Sequence, residues 1–293
     1  MCRHCIKYGD GTKWYLNPKN YSDEVIYGES TKVKMEDTMV GQLLGVKGTI
    51  QEIMTTAQRF KYDIGFGENI DGVFQDLDDD NARTMREGLP DLMDKAVGGQ
   101  IVPLEDAEKI IDLNEGDIFV LPCICRKYYG GIKKMSCMFL RPAAKPLQEN
   151  VSWDTPNKMV SKEEAKKMVR EFDKEGCFHG IFWCPAPVPV MLCNCEYPYC
   201  IALRARFHYN IVDTYRKGEN VSLVDPNKCN GCGGTPRCQV RCKFGALKYS
   251  PSSGKVVVNQ MQCFGCGLCR TVCPNDAITL IPREEIPQLI NVW

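Results

Sequence analysis

Residues 33–60 read VKMEDTMVGQLLGVKGTIQEIMTTAQRF, with apolar positions spaced as on one face of a helix. That period predicts one or two helices, broken near Gly45 and Gly48. NARTMREGLPDLMDKAV (81–97) predicts another, so the chain reads as helical to about residue 115. The DLDDDN run (76–81) before it reads as a solvated loop and helix N-cap, since Asp favours helix starts; a cation or partner site is the alternative.

After residue 115 the pattern changes. From Asp117, IFVLPCIC predicts a short apolar strand ending at Pro122, followed by Cys123-x-Cys125. SKEEAKKMVREFDKEG (161–176) predicts a helix with a capping box: Ser161 as N-cap, Glu164 three residues on and Gly176 as the stop. CFHGIFWCPAPVPVMLCNC (177–195) then reads as broken extended chain running into Cys193-x-Cys195. Each C-x-C pair therefore follows an apolar strand. In extended chain, residues i and i+2 point to one side. If the two strands are neighbours, Cys123, Cys125, Cys193 and Cys195 converge as four thiols, enough for an iron–sulfur cluster or a tetrahedral zinc. Cys137 and Cys200 are near enough in sequence to substitute for any of them.

Composition sharpens this picture. The chain has 293 residues, 44% hydrophobic and 25% charged, an ordinary globular composition with room for two domains. The anomaly is 18 cysteines. The first residues, MCRHCIKYGDGTKWYL, carry no apolar leader, and IFWCPAPVPVMLC (181–193) is too short for a membrane span and holds three prolines. A cytoplasmic location is expected, where clustered cysteines indicate metal or redox chemistry. Net charge is zero, which supports no nucleic-acid footprint. No dinucleotide-binding glycine loop, phosphate-binding loop or flavin signature is present.

The cysteines are unevenly placed: two at the N-terminus, none from 6 to 122, eight between 123 and 200, and eight between 229 and 273. The last eight form a repeat. VDPNKCNGCGG (224–234) aligns with VNQMQCFGCGL (258–268), and FGALKY (244–249) with NDAITL (275–280). Each copy reads as strand, cysteine loop, short helix, strand. Three thiolates two residues apart can wrap three corners of a cubane; the fourth lies too far along and reaches a neighbouring cluster. A zinc ribbon is the alternative use of C-x2-C pairs.

The second copy, Cys263-x2-Cys266-x2-Cys269-x3-Cys273-Pro274, is the bacterial ferredoxin run. Residues 219–282 thus resemble a two-[4Fe-4S] ferredoxin domain. The resemblance implies that Cys229, Cys232, Cys238 and Cys273 hold one cluster, and Cys263, Cys266, Cys269 and Cys242 the other. Two departures bear on the first cluster: Lys243 replaces the proline after Cys242, and the Cys232–Cys238 loop is longer, which leaves a three-iron cluster open. From Lys217 to Leu280 there are eight Lys/Arg and three Asp/Glu, a charge of +5. Two oxidised clusters at about −2 each bring the loaded domain near +1, which favours work beside an attached site over free diffusion.

MCRHCIKYGDGTKWYLNPKNYS, LPCICR, GCFHG and MLCNC together are similar to a group of cysteine-rich iron–sulfur binding proteins of anaerobic microbes. That resemblance implies a redox role and supplies no substrate. This chain departs from it after Cys195, where only Cys200 follows, across EYPY.

The remaining candidates divide by residue type. Cys177 and Cys184 read as core thiols. Cys2-x2-Cys5 reads as zinc or cluster ligands with His4, or as a reactive terminal segment. His179 and His208 read as core or surface histidines before proton donors. Arg126 could donate to cluster sulfur, bind an anion or form a salt bridge.

The expected fold is α+β. A cysteine-rich domain over 1–216, mainly helical and then mixed α/β, precedes a ferredoxin-like (βαβ)2 domain over 217–282 and a tail over 283–293. The expected function is low-potential, single-electron transfer through two [4Fe-4S] clusters and a third iron–sulfur or zinc centre, to or from a redox partner protein or oxidoreductase complex. The alternatives are a reductase whose N-terminal centre is catalytic and a zinc-stabilised scaffold carrying a ferredoxin module.

Overall fold

The computed structural model describes residues 1–28, 31, 98–132, 134–150, 156–208 and 215–293. The helices expected at 33–60 and 81–97, and the acidic run at 76–81, lie outside the described residues.

Seven strands form one mixed sheet: β1 Gly98–Val102, β2 Ile118–Pro122, β3 Met135–Phe139, β4 Lys158–Val160, β5 Phe178–Trp183, β6 Pro189–Cys195 and β7 Tyr215–Arg216. Their order is β4-β2-β3-β6-β5-β1-β7. All neighbours are antiparallel except β1 and β7. Strand β1 corrects the expectation of helix to about residue 115: the helix there spans only Leu104–Leu113. The short segment GGQIV finds hydrogen-bonding neighbours on both sides, and that tertiary pairing overrides local pattern.

Both faces of the sheet are covered, so β2 is buried at every position and reads as a continuous apolar run. Ile118, Val120, Met138, Ile181, Trp183 and Leu192 face helices Leu104–Leu113 and Lys162–Glu175 and the N-terminal Cys2, Cys5, Trp14 and Tyr15. Phe119, Leu121, Cys137, Phe139, Phe178, Cys193 and Cys195 face the other way, in one core with Phe264 and Leu268. The helix Lys162–Glu175 begins and ends as expected. Ser161 Oγ accepts from Glu164 N at 3.2 Å, and Gly176 stops it in the left-handed region at φ 94°.

The C-terminal unit contains β8 Asn220–Val224, a helix at Arg237–Arg241, β9 Leu247–Ser250, β10 Lys255–Val258 and β11 Ile278–Pro282. Strand β8 pairs with β11, and β9 with β10, so each two-stranded sheet is antiparallel. The second copy departs from the expected pattern: turns replace its short helix between Leu268 and Cys273. Among the described residues, no helix is long and apolar enough to cross a membrane.

Candidate metal centres

The repeat places its cysteines in interleaved sets. Cys229, Cys232 and Cys238 from the first copy and Cys273 from the second line one cavity, with Val224, Val256 and Ile278 as its apolar wall. Cys242, Cys263 and Cys269 all lie within electrostatic reach of Cys266, and Cys242, Cys263 and Cys238 within reach of Cys269. Ser222 links that set to β8: its N–H reaches Cys263 Sγ at 3.4 Å and its hydroxyl lies 3.2 Å from Cys269 Sγ.

Backbone donors repeat with the sequence. Ala246 N–H points at Cys242 Sγ and Ala277 N–H at Cys273 Sγ, both at 3.3 Å. Val256 N–H reaches Cys229 Sγ and Gly265 N–H reaches Cys263 Sγ, each at 3.4 Å. N–H groups aimed at sulfur stabilise thiolate ligands and tune a cluster's potential. At Gly265 a side chain is excluded: φ is +72°, and a Cβ would stand 2.1 Å from the Asn220 carbonyl oxygen. These donor sets fit two [4Fe-4S] cubanes. They are sulfur-only, cross between the copies, and carry backbone N–H donors, with Ala246 and Ala277 at matched positions.

The N-terminal thiols also gather, though differently from the expected four. Only Cys193 and Cys195 use the i, i+2 rule, on β6. Cys123 caps the helix Ile124–Gly130 and Cys125 lies in its first turn, because the chain turns after Pro122 instead of continuing extended. Strand β3 lies between β2 and β6, so Cys137 stands directly opposite Cys193. Cys200 precedes the helix Ile201–His208 and joins the same core. The result is a group of six thiols on one face of the sheet.

Its electrostatics follow from this crowding. Cys123 is held well below the usual thiol range, first by hydrogen bonds with Cys125 and Cys137 and then by the Arg126 backbone N–H and guanidinium. Cys195 is pushed up by its hydrogen bond with Cys193 and by burial, and Cys200 by its hydrogen bond with Cys195 and by burial. Tyr215, fully buried beside them, is raised chiefly by burial. A Cβ on Gly180 would stand 1.5 Å from the Tyr215 hydroxyl, so this close approach requires glycine. Arg126, 1% exposed, donates to Ser136 Oγ at 2.8 Å and Cys177 Sγ at 3.1 Å, with Glu196 at 3.7 Å. It is thus both a sulfur donor and an ion-pair partner.

Cys177 and Cys184 are buried core thiols, and burial pushes Cys184 up to about 12. His179 is buried against Asn194, Nδ1 to Oδ1 2.7 Å, and burial lowers it to about 4. His208 closes its helix.

A fourth group of donors sits on the opposite face of the sheet. Cys2 Sγ, Cys5 Sγ and a Glu219 carboxylate oxygen all lie within 4.8 Å of one another, and all three residues are buried. His4 is not part of it: its Nδ1 meets the Arg216 guanidinium at 2.9 Å and its ring packs on Trp183. Glu219 was missed in the sequence because it lies 214 residues from Cys5 and belongs to no motif.

Residues 212–277 match the family model described as a 4Fe-4S dicluster domain. The chain is 32% identical over 88 residues to indolepyruvate oxidoreductase subunit IorA of Pyrococcus abyssi, covering 29% of this chain and 13% of that protein. It is 37% identical over 68 residues to polyferredoxin protein MvhB of Methanothermobacter marburgensis, covering 20% of this chain and 16% of that protein. The chain therefore spans only a small part of the length of these curated relatives.

Proposed function

We propose that this chain, whose C-terminal region is a ferredoxin-type iron–sulfur domain, is an electron relay with a third iron–sulfur centre in its N-terminal region. In this reading residues 217–282 take up single electrons and 1–216 hold the centre they serve. Cys229, Cys232, Cys238 and Cys273 hold one [4Fe-4S] cluster, and Cys242, Cys263, Cys266 and Cys269 the other. Bound clusters of this kind accept and release one electron at a time.

The observation that carries the reading is the shared core. Cys266, Phe244, Phe264 and Leu268 pack into the same apolar core as Cys123, Cys137, Cys193, Cys195 and Cys200. Phe244 and Phe264 stack with centroids 4.2 Å apart, and Phe178 packs on Phe244. Lys243, next to Cys242, lies 3.7 Å from Glu196, next to Cys195. The second ferredoxin cluster would thus adjoin the six-thiol group through apolar contacts that exclude water.

An iron–sulfur centre suits that group better than zinc. Among the described residues, the group of three donors within 4.8 Å of one another is Cys2, Cys5 and Glu219; the six thiols are spread more widely than one ion requires. We take Cys123, Cys137, Cys193 and Cys195 as the core of the ligand set, with Cys125 and Cys200 beside them. A second reading, a reductase whose N-terminal centre is catalytic, is favoured by the surplus. Six thiols exceed the four a cubane takes, and Cys125 alone among them is only half-buried. The partner in either case is a redox protein or oxidoreductase complex. A cytoplasmic home suits eighteen free thiols.

Iron and acid-labile sulfide per chain, measured after anaerobic purification, test this. We expect about 12 iron atoms, falling to about 8 on replacing both Cys123 and Cys193 by serine. About 8 in the unaltered protein, with spectra indifferent to those replacements, would exclude a third cluster.

A further inference from the structure

We propose that Cys2, Cys5 and Glu219 bind a single zinc ion, separate from the iron–sulfur centres, that ties the N-terminal segment to the ferredoxin domain. The distances are those of a mononuclear site. A tetrahedral ion with Zn–S bonds of about 2.3 Å sets its sulfurs about 3.8 Å apart. Cys2 Sγ and Cys5 Sγ stand 3.5 Å apart, and Cys5 Sγ lies 3.2 Å from Glu219 Oε1. Two thiolates and a carboxylate are zinc donors, and three protein ligands leave a fourth position open.

The surroundings orient these donors as an outer shell does. Gln100 Nε2 donates to Glu219 Oε1 at 2.9 Å and lies 3.8 Å from Cys2 Sγ. Its other end is fixed, because Gln100 Oε1 accepts from Trp14 Nε1 at 2.6 Å. The Trp14 backbone N–H points at Cys5 Sγ at 3.4 Å, and the Cys2 N–H reaches Glu219 Oε2 at 3.2 Å. Donors thus converge on both the sulfurs and the carboxylate, the arrangement that stabilises their anionic, ligating forms.

Charge closes the account. Three anionic ligands and one dication leave a single negative charge, and the Arg216 guanidinium lies within electrostatic reach of Cys2, Cys5 and Glu219. The site also lies beside a ferredoxin set. Gly218, the neighbour of Glu219, donates to the Phe264 carbonyl at 2.9 Å, one residue from Cys263. The ion would therefore fix the sheet's far face to the cluster-bearing loop.

Zinc and iron are measured separately on the intact chain purified anaerobically. We expect about one zinc per chain, and a zinc-edge absorption spectrum with two sulfur neighbours near 2.3 Å and oxygen or nitrogen near 2.0–2.2 Å. Cys2→Ser, Cys5→Ser and Glu219→Gln should each weaken zinc in a chelator competition at least about tenfold while iron and sulfide hold, the size of effect that loss of even a supporting residue has. A zinc-free protein, zinc unaffected by all three changes, or a chain two hydrogens lighter with Cys2 and Cys5 bonded to each other overturns the proposal. Should a substitution also cost iron, the spectrum of the unaltered protein decides: two sulfurs support the site, four sulfurs or none overturn it.

Discussion

His179 illustrates how a single side chain can look chemical and be structural. Its Nδ1 is 2.7 Å from Asn194 Oδ1, and Asn194 in turn donates to the Ser136 carbonyl at 3.1 Å. Asn194 is the middle residue of Cys193-x-Cys195, so the strand turns its thiols to one face and its amide to the other. Burial holds the imidazole neutral, lowered to about 4, whereas the unfolded chain binds a proton below about pH 6.5. Proton uptake then favours the unfolded chain, so His179 costs stability as pH falls from about 6.5 to about 4. We expect His179→Gln to lose less stability than the unaltered protein across that window, read as the difference in urea midpoints at pH 7 and pH 5. Equal pH slopes for the two proteins would contradict the assignment. At this scale the sequence was readable where a residue type carries its own meaning. The eight ferredoxin-register cysteines declare themselves by spacing, whereas Glu219 is a common residue whose role depends on chain segments far apart.

At the scale of elements, the helix Lys162–Glu175 joins the two halves of the molecule. Its last carbonyls are taken by the other domain: Arg241 donates to the Asp173 and Lys174 carbonyl oxygens, each at 2.5 Å. A guanidinium at a helix C-terminus satisfies orphan acceptors and opposes the dipole. The Ser161 cap at the opposite end is worth about 1 kcal/mol, so Ser161→Ala should lower stability by that amount in urea titration and leave the iron content unchanged. Arg241→Ala should cost about 1 kcal/mol, because part-buried and exposed carbonyls at the helix end lose a charged donor that water can partly replace. If the two substitutions together cost only what one does, the helix is not the joint described. This helix was legible from its capping residues, and strand β2 from its apolar run. Strand β3 and its Cys137 were not, because MSCMF has no sharp signal and its place between β2 and β6 is set by sheet order alone. That hidden strand supplies the fifth thiol, and Cys200, ahead of the helix Ile201–His208, the sixth.

For the whole molecule, the contact between the sheet and the ferredoxin domain is aromatic. Phe264 is 3% exposed, stacked on Phe244 and covered by the Arg206 guanidinium, 5.0 Å from its ring centroid. Removing a buried ring costs about 3–5 kcal/mol, so Phe264→Ala should lower stability by that much. It should also slow electron exchange between the domains, measured by rapid mixing with a one-electron reductant. Unchanged stability and rate would mean that the two domains do not depend on this contact. The dicluster region at 212–277 was readable from the spacing of its cysteines. The packing of one domain into the other's core was not, since a sequence does not say which apolar faces meet.

The pairing of β8 with β11 has a consequence in time. The first strand of the ferredoxin unit waits for its last, and Cys273 comes 44 positions after Cys229, its farthest companion around the cavity. On the ligand sets proposed here, a ribosome would have to pass Cys269 for one cubane and Cys273 for the other before either could be enclosed. Glu219 makes Cys5 wait longer still, 214 positions. Loading with metal would then follow synthesis of the second copy, and a chain cut short near residue 260 should emerge with neither cluster secured, because each set takes cysteines from beyond that point.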